Sequence, residues 1–377
     1  MPPGRFITDA DMALMTAVAD VFPYDVQPAV AAISIARGQN AAQSALEYKG
    51  QTETAISLEM ALCDDELASY QRAVNFLTTN EPERRLDLYV SYKSFQSLED
   101  KARALYGDAK YPRVEYSALD SRVIIHTIPT ALHNSSAVGL QMCIKESIRD
   151  TLIRLDKKHL HSHILPIGAS KYSSVDDQRR RSTKTPDAGL KYDNCQLNDL
   201  LIVVEAGVSD GYQQLKADIE LWLGKLGSRI GILLWLKENP RFRFAARDSC
   251  NSLSATESNL FENEMCHARR TRPFGPYSFN GYTWFGTLDI ALIEVFKWDA
   301  RTSNISSDKY VVVQDGAATI QAETLDIGLT MGDAFPFDEE FSVDEKALPI
   351  LLEAETLLHI LQSAVHSTAI QRYNDLV

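Results

Sequence analysis

Lys184-Thr185-Pro186-Asp187 and Leu200-Leu201-Ile202-Val203-Val204-Glu205-Ala206-Gly207 decide the reading of this chain, with 17 residues separating Asp187 from Glu205. Five consecutive apolar residues before Glu205 predict a strand buried on both faces. An unpaired charge at the end of such a strand is costly to bury, so Glu205 calls for a cation or for exposure at the strand's end. Residues 187–192 predict a second strand. If it opens at Asp187 and its neighbour ends at Glu205, the two carboxylates converge at one end of a sheet. Hydrolysing a phosphodiester near neutral pH needs a polarised phosphorus and an activated water. One or two Mg²⁺ ions held by carboxylates supply both, and Mn²⁺ is an alternative.

Working outward, Val138 to Asp156 predicts a helix, Ser162 to Ile167 an extended run, and Asp210 to Leu223 a second helix. Ile230 to Leu236 predicts another buried strand. The order α-β-β-β-α-β points to a mixed sheet with helices on both faces. Residues 1–137 read as mostly helical, with Thr8 capping a helix over Asp9 to Val21 and another after Asp64 or Asp65. Residues 138–300 form the α/β core, with 239–281 as an Arg-, Ser- and Asn-rich insertion. Residues 301–377 form an acidic extension ending in a long helix. Its apolar face carries Leu351, Leu352, Leu357, Leu358, Leu361 and Val365, suited to packing on the domain, on a second copy or on a protein partner.

Across the 377 residues the net charge is −13, which argues at first against nucleic acid. The distribution changes that. Residues 141–300 hold 22 Lys and Arg against 20 Asp and Glu, a net of +2, leaving 16 against 31, or −15, in the flanks. A mildly basic middle permits a phosphate backbone without establishing one. The five cysteines are scattered without paired spacing, and the N-terminus lacks a secretory pattern. No apolar run is long enough to span a membrane. These features predict an intracellular protein, nuclear or cytoplasmic, with free thiols.

Pro-Asp, the 17-residue gap, a hydrophobic strand and then Glu-x-x resembles the PD-(D/E)XK nuclease superfamily. More narrowly, the chain is similar to restriction-endonuclease-like proteins common in fungal genomes. It carries Gly168-Ala169-Ser170-Lys171, Lys184-Thr185-Pro186-Asp187, Glu205-Ala206-Gly207-Val208-Ser209, and a helix with Leu215-Lys216-Ala217-Asp218 and Trp222-Leu223. The resemblance covers roughly residues 138–300. It implies a restriction-endonuclease-like mixed sheet and a metal-dependent nuclease acting on DNA rather than RNA. Asp187, Glu205 and the Ala206 carbonyl would then hold Mg²⁺. One departure stands out: the pattern places a Lys two residues after the Glu, and here that position is Gly207. Lys216, on the flank of the next helix, is the first substitute for catalysis and Lys184 the second. Without either, the fold would serve as a catalytically inactive binding or scaffold module.

Lys171, Arg179, Arg180, Arg181 and Lys184 lie in a polar, basic loop leading into Asp187, where they could meet a phosphate backbone. Glu146 reads as a solvated helix residue. His159, His161 and His163 alternate as if on one strand, but no Cys or carboxylate shares their spacing, so polar positions are the better reading. Cys266-His267 has no second pair at zinc-finger spacing. Phe242, Phe244 and Trp284 read as core.

Overall fold

A computed structural model describes residues 65–79, 85–107, 112–118, 120–127, 129–168, 171–175, 181–193, 198–208, 211–242, 255–299, 302, 304–335 and 340–376. The helix expected from Asp9 to Val21 lies outside these. Within them the chain is mixed α/β, built on two sheets.

The larger sheet has seven strands. In spatial order they are β14 (Ala317–Ala318), β13 (Asn304–Gln314), β12 (Thr287–Asp299), β9 (Ile230–Asn239), β8 (Asn198–Val208), β7 (Ala188–Asp193) and β4 (Ile164–Ile167). Only β8 and β9 run parallel; the other pairings are antiparallel. Helix α3 (Ala131–Arg154) and helix α4 (Tyr212–Gly224) complete the predicted α-β-β-β-α-β order. Leu200 to Val204 are all buried, as a doubly covered strand requires. Ile202, Val204 and Ala206 join one core with Leu140, Ile144 and Ile148 of α3. Val203 packs instead with Trp222 of α4.

Close backbone approach shapes the centre of this sheet. A Cβ on Gly189 would come within 2.3 Å of the Ile202 carbonyl oxygen, so only glycine fits there. The buried Gln141 of α3 donates to the carbonyls of Ile167, at 3.1 Å, and of Gly189, pinning the helix to β4 and β7.

The N-terminal region departs from the mostly helical reading. A helix over residues 65–79, here α1, and α2 (Tyr92–Tyr106) cover an antiparallel sheet. Its strands are β1 (Arg85–Tyr89), β3 (Arg122–His126), β2 (Arg113–Ser117), β6 (Arg181–Lys184) and β5 (Tyr172–Val175), in that spatial order. Leu77, Leu88, Phe95, Leu98, Tyr116, Val123 and Ile125 form its core. The basic segment expected as a loop is therefore the β5–β6 hairpin. It leaves the larger sheet after β4, pairs with β2 at Tyr116–Thr183, and returns to β7.

Two further differences are local. Residues Lys158–His163 form a 3₁₀ turn, so the three alternating histidines do not share a strand face. The 239–281 stretch contains α5 (Ala255–Thr271) and β10 (Tyr277–Phe279), which pairs with β11 (Tyr282–Phe285) just beyond it.

At the C-terminus, β15 (Thr324–Thr330) pairs with β16 (Pro349–Glu353), and α8 (Ala354–Leu376) follows. Leu351 and Leu352 belong to β16 rather than to the helix, whereas Leu357, Leu361 and Val365 are buried along α8. Two α8 side chains satisfy free amides at the start of α3: Thr368 accepts from Leu132 N at 2.7 Å and Gln371 from Ala131 N at 2.9 Å. Thr130 caps the same turn by accepting from His133 N. Arg372 makes a two-point ion pair with Glu238, at 2.8 and 2.9 Å, between the rings of Phe242 and Phe285. Both charges are buried. Arg372→Met would strand the Glu238 carboxylate and should lower unfolding stability by about 3–5 kcal/mol. An unchanged denaturation midpoint would show that the pair does not hold α8 in place.

Candidate active site

Asp187 stands in the turn between β6 and β7. Ala188 pairs with Val204, so Glu205 lies across from Asp187 on the adjacent strand. The structure thus brings the two carboxylates together where β7 begins. They are 7% and 5% exposed.

Each has its own set of partners. Asp187 Oδ2 accepts from the Ala206 amide at 3.0 Å and lies 3.2 Å from His133 Nε2; Oδ1 lies 3.0 Å from an Arg113 guanidinium nitrogen. Glu205 Oε1 accepts from the Trp222 indole N–H and lies 3.6 Å from Lys184 Nζ. Lys184, 2% exposed, is also 3.4 Å from Glu115 Oε2 on β2 and 3.5 Å from Asp218 Oδ2 on α4. Arg85 on β1 reaches Asp218 at 3.0 Å and, at 3.4 Å, the more exposed Asp87.

The ionisation states follow from these neighbours. Burial opposes charge on Asp187, but His133, Arg113 and the Ala206 amide outweigh it and hold the carboxyl well below its ordinary range. Burial pushes Glu205 well up, and the charges of Asp187, Asp218 and Glu115 add to that against Lys184. The two carboxyls are thus driven in opposite directions, with Asp187 favoured as the anion and Glu205 the one that holds a proton more readily. Lys184 is raised despite burial, because Asp218, Glu115 and Glu205 surround it, and it stays cationic throughout the physiological range. Burial, with Arg85 and Lys184 nearby, holds His126 well below its usual range, so its 3.8 Å approach to Glu115 is not an ion pair at neutral pH.

The remaining candidates are placed as follows. Lys216 lies 6.0 Å from the centroid of the Phe296 ring, on the other flank of α4 from Asp218. The helix residue that enters the cluster is Asp218. Lys184 was expected among residues able to touch a phosphate backbone; buried among three carboxylates, it cannot do so from this position. Lys171 pairs with Glu99, and Arg181 donates to Ser173 Oγ at 3.0 Å. Arg179 and Arg180 lie outside the described residues, as do Ala169, Ser170 and Ser209 of the quoted motifs. Glu146 is a surface residue paired with Arg149, as the sequence suggested.

His133, Arg113, Glu115, Arg85 and Asp218 were not singled out from sequence. One signal was available. Leu215, Asp218, Ile219 and Trp222 follow helical spacing, so Asp218 falls inside the buried stripe, where a charge demands partners. The others come from distant segments that no local pattern connects to Asp187.

No family model and no curated protein matches the chain. The site is therefore read from its own chemistry.

Among the described residues, no three His, Cys, Asp or Glu side chains form a group that could hold a metal. Mg²⁺ does not need three, because it commonly keeps several waters and takes one or two carboxylates. Asp187, Glu205 and the Ala206 carbonyl offer the hard oxygen donors it prefers. The cluster gathers four acids. Glu115, Asp187, Glu205 and Asp218 face three permanent cations, Arg85, Arg113 and Lys184, and Asp218 Oδ1 is buried with no hydrogen-bond partner.

Helix α4 explains Gly207. A Cβ there would come within 2.4 Å of Leu215 Cδ1, so the position where the resemblance expects a Lys is covered by the helix. Gly207→Lys should overpack this contact and destabilise the fold by about 1–3 kcal/mol, measured by thermal unfolding. A variant as stable as the parent would mean that the helix does not exclude a side chain.

Proposed function

We propose that this chain is a Mg²⁺-dependent nuclease acting on DNA, with a restriction-endonuclease-like core. The observation that carries the reading is the approach of Lys184 to Glu205 in the cluster that holds Asp187. Two acids and one lysine are the groups that metal-assisted phosphodiester hydrolysis requires, and here the lysine comes from β6.

In this reading Asp187, Glu205 and the Ala206 carbonyl would hold the cation, and when bound it would supply Lewis acidity toward the phosphate and a water. Ala206 N–H and Trp222 N–H fix the two carboxylates in place before any ligand arrives. Lys184 remains charged and, once substrate parts the N-terminal sheet from the cluster and uncovers it, would stabilise negative charge as it develops on the phosphorane-like transition state. Asp218 and Glu115 hold that ammonium in position. A proton on Glu205 would leave as a cation takes its place.

A second reading has its own support. Every acid of the cluster already has a protein cation beside it, and the acids are nearly sealed from solvent. A nuclease fold that has lost its chemistry, and whose acids now dock the N-terminal sheet, would look the same.

Cleavage of plasmid and single-stranded DNA in Mg²⁺ or Mn²⁺ separates the two. Asp187→Ala and Lys184→Met should each lower the rate by roughly 10²–10³, the scale of losing one charge-stabilising group. Lys216→Ala should keep the parent rate. Circular dichroism on Lys184→Met guards against a folding defect. No cleavage by the parent protein would remove the nuclease reading and leave the docking one.

A further inference from the structure

Arg113 and Glu115 are two residues apart on β2, so they share one face of the N-terminal sheet. Together they grip the turn that carries Asp187. Arg113 Nη1 donates to the Thr185 carbonyl at 3.2 Å and to Asp187 Oδ1 at 3.0 Å. Glu115 accepts from the Thr185 amide at 2.9 Å and holds Lys184. Both peptide groups of Thr185 are therefore held from the other sheet.

This grip falls on the oxygen that a cation would need. Asp187 Oδ2 already accepts from Ala206 N and lies against His133. Oδ1 is the side open to a further ligand, and Arg113 occupies it. A guanidinium and a divalent ion on one carboxylate oxygen would also repel each other strongly in a buried site.

We propose that Arg113 and the divalent cation are alternative partners of Asp187, so that the N-terminal sheet gates metal binding at the site. The proposal rests on the metal-dependent reading above and adds its regulation. Arg113 must leave Oδ1 for the ion to bind. A nucleic-acid phosphate, which accepts two parallel guanidinium hydrogen bonds, is the chemistry that would draw it away. Substrate and metal would then load together, and the empty enzyme would hold metal weakly.

The test is Mn²⁺ binding to the full chain, read as free ion by electron paramagnetic resonance. Arg113→Gln keeps a polar side chain of similar reach but removes the charge. It should tighten Mn²⁺ binding by about tenfold or more, the scale of one charged hydrogen bond. Asp187→Asn in the same background should abolish the gain. Arg85→Gln removes a cation from the same sheet without touching Asp187 and should shift affinity by less than about threefold. No tightening in Arg113→Gln, or equal tightening in Arg85→Gln, overturns the gate.

If Arg113→Gln fails to fold, the parent protein decides. Saturating Mn²⁺ should speed amide hydrogen exchange over residues 113–117 as β2 loses its hold, whereas unchanged or slower exchange overturns the proposal. The two readings separate cleanly. Tighter metal in Arg113→Gln with no DNA cleavage by any variant keeps the gate and removes the nuclease. Cleavage by the parent with no tightening does the reverse.

Discussion

The buried ammonium of Lys184 is the contact on which the rest of the site depends. It sits within 3.4–3.6 Å of carboxylates from β2, β8 and α4, so one charge ties the N-terminal sheet, the central sheet and a helix together. Burying a lysine is expensive, and attraction offsets the cost only when the partners are close and well placed. Three acids achieve this here. The same acids would repel one another without the ammonium, so neither side of the arrangement is tolerable alone. This mutual need explains how Glu205 can end a run of five apolar residues.

At the site the two sheets meet mainly through charge. Each has its own hydrophobic cluster, Tyr172 of β5 packs on Trp222, and the polar contacts that cross are Arg85 to Asp218, Arg113 to Asp187, and Lys184 to Glu205 and Asp218. An ionic interface differs from an apolar one in its response to ligands. A cation or phosphate competes directly for the groups that hold it closed, whereas an oily interface would be indifferent to both. If the site takes a cation or a phosphate as proposed, ligand binding and sheet docking draw on the same residues.

How much of this could be read from sequence follows from how far each interaction reaches. The buried strand before Glu205, the helices on either side and the juxtaposition of Asp187 with Glu205 rest on local periodicity, and the structure has all of them. Mixed α/β architecture follows from the same patterns. The N-terminal strands escape the pattern: β1, β2 and β3 are five residues each and each carries an Arg with Asp87, Glu115 or His126, and Arg85, Arg113 and Glu115 point into the ionic cluster. Binary patterning assumes that charge faces water, and here it faces charge. Lys184 was misplaced for the same reason. A basic, Ser-rich stretch reads as a solvated loop, and nothing local shows that three carboxylates from elsewhere will enclose it. The strand of three histidines failed differently, since alternation over five residues is too short to distinguish a strand from a 3₁₀ turn.

Gly207 shows how these constraints act on one another. With Leu215 of α4 lying directly over it, the strand has no room for a long side chain two residues beyond Glu205. The close approach of α4 also brings Trp222 within hydrogen-bonding distance of Glu205 and Asp218 within reach of Lys184. A helix set further from the sheet would free the strand position, but it would also remove the group that orients Glu205 and one of the acids that charge Lys184. Missing lysine and close helix are therefore two aspects of one packing choice. On the proposed nuclease reading, the ammonium that the strand position cannot hold comes instead from β6, strung between the two sheets just before Asp187, where Lys184 reaches Glu205 and also Asp218 of that helix.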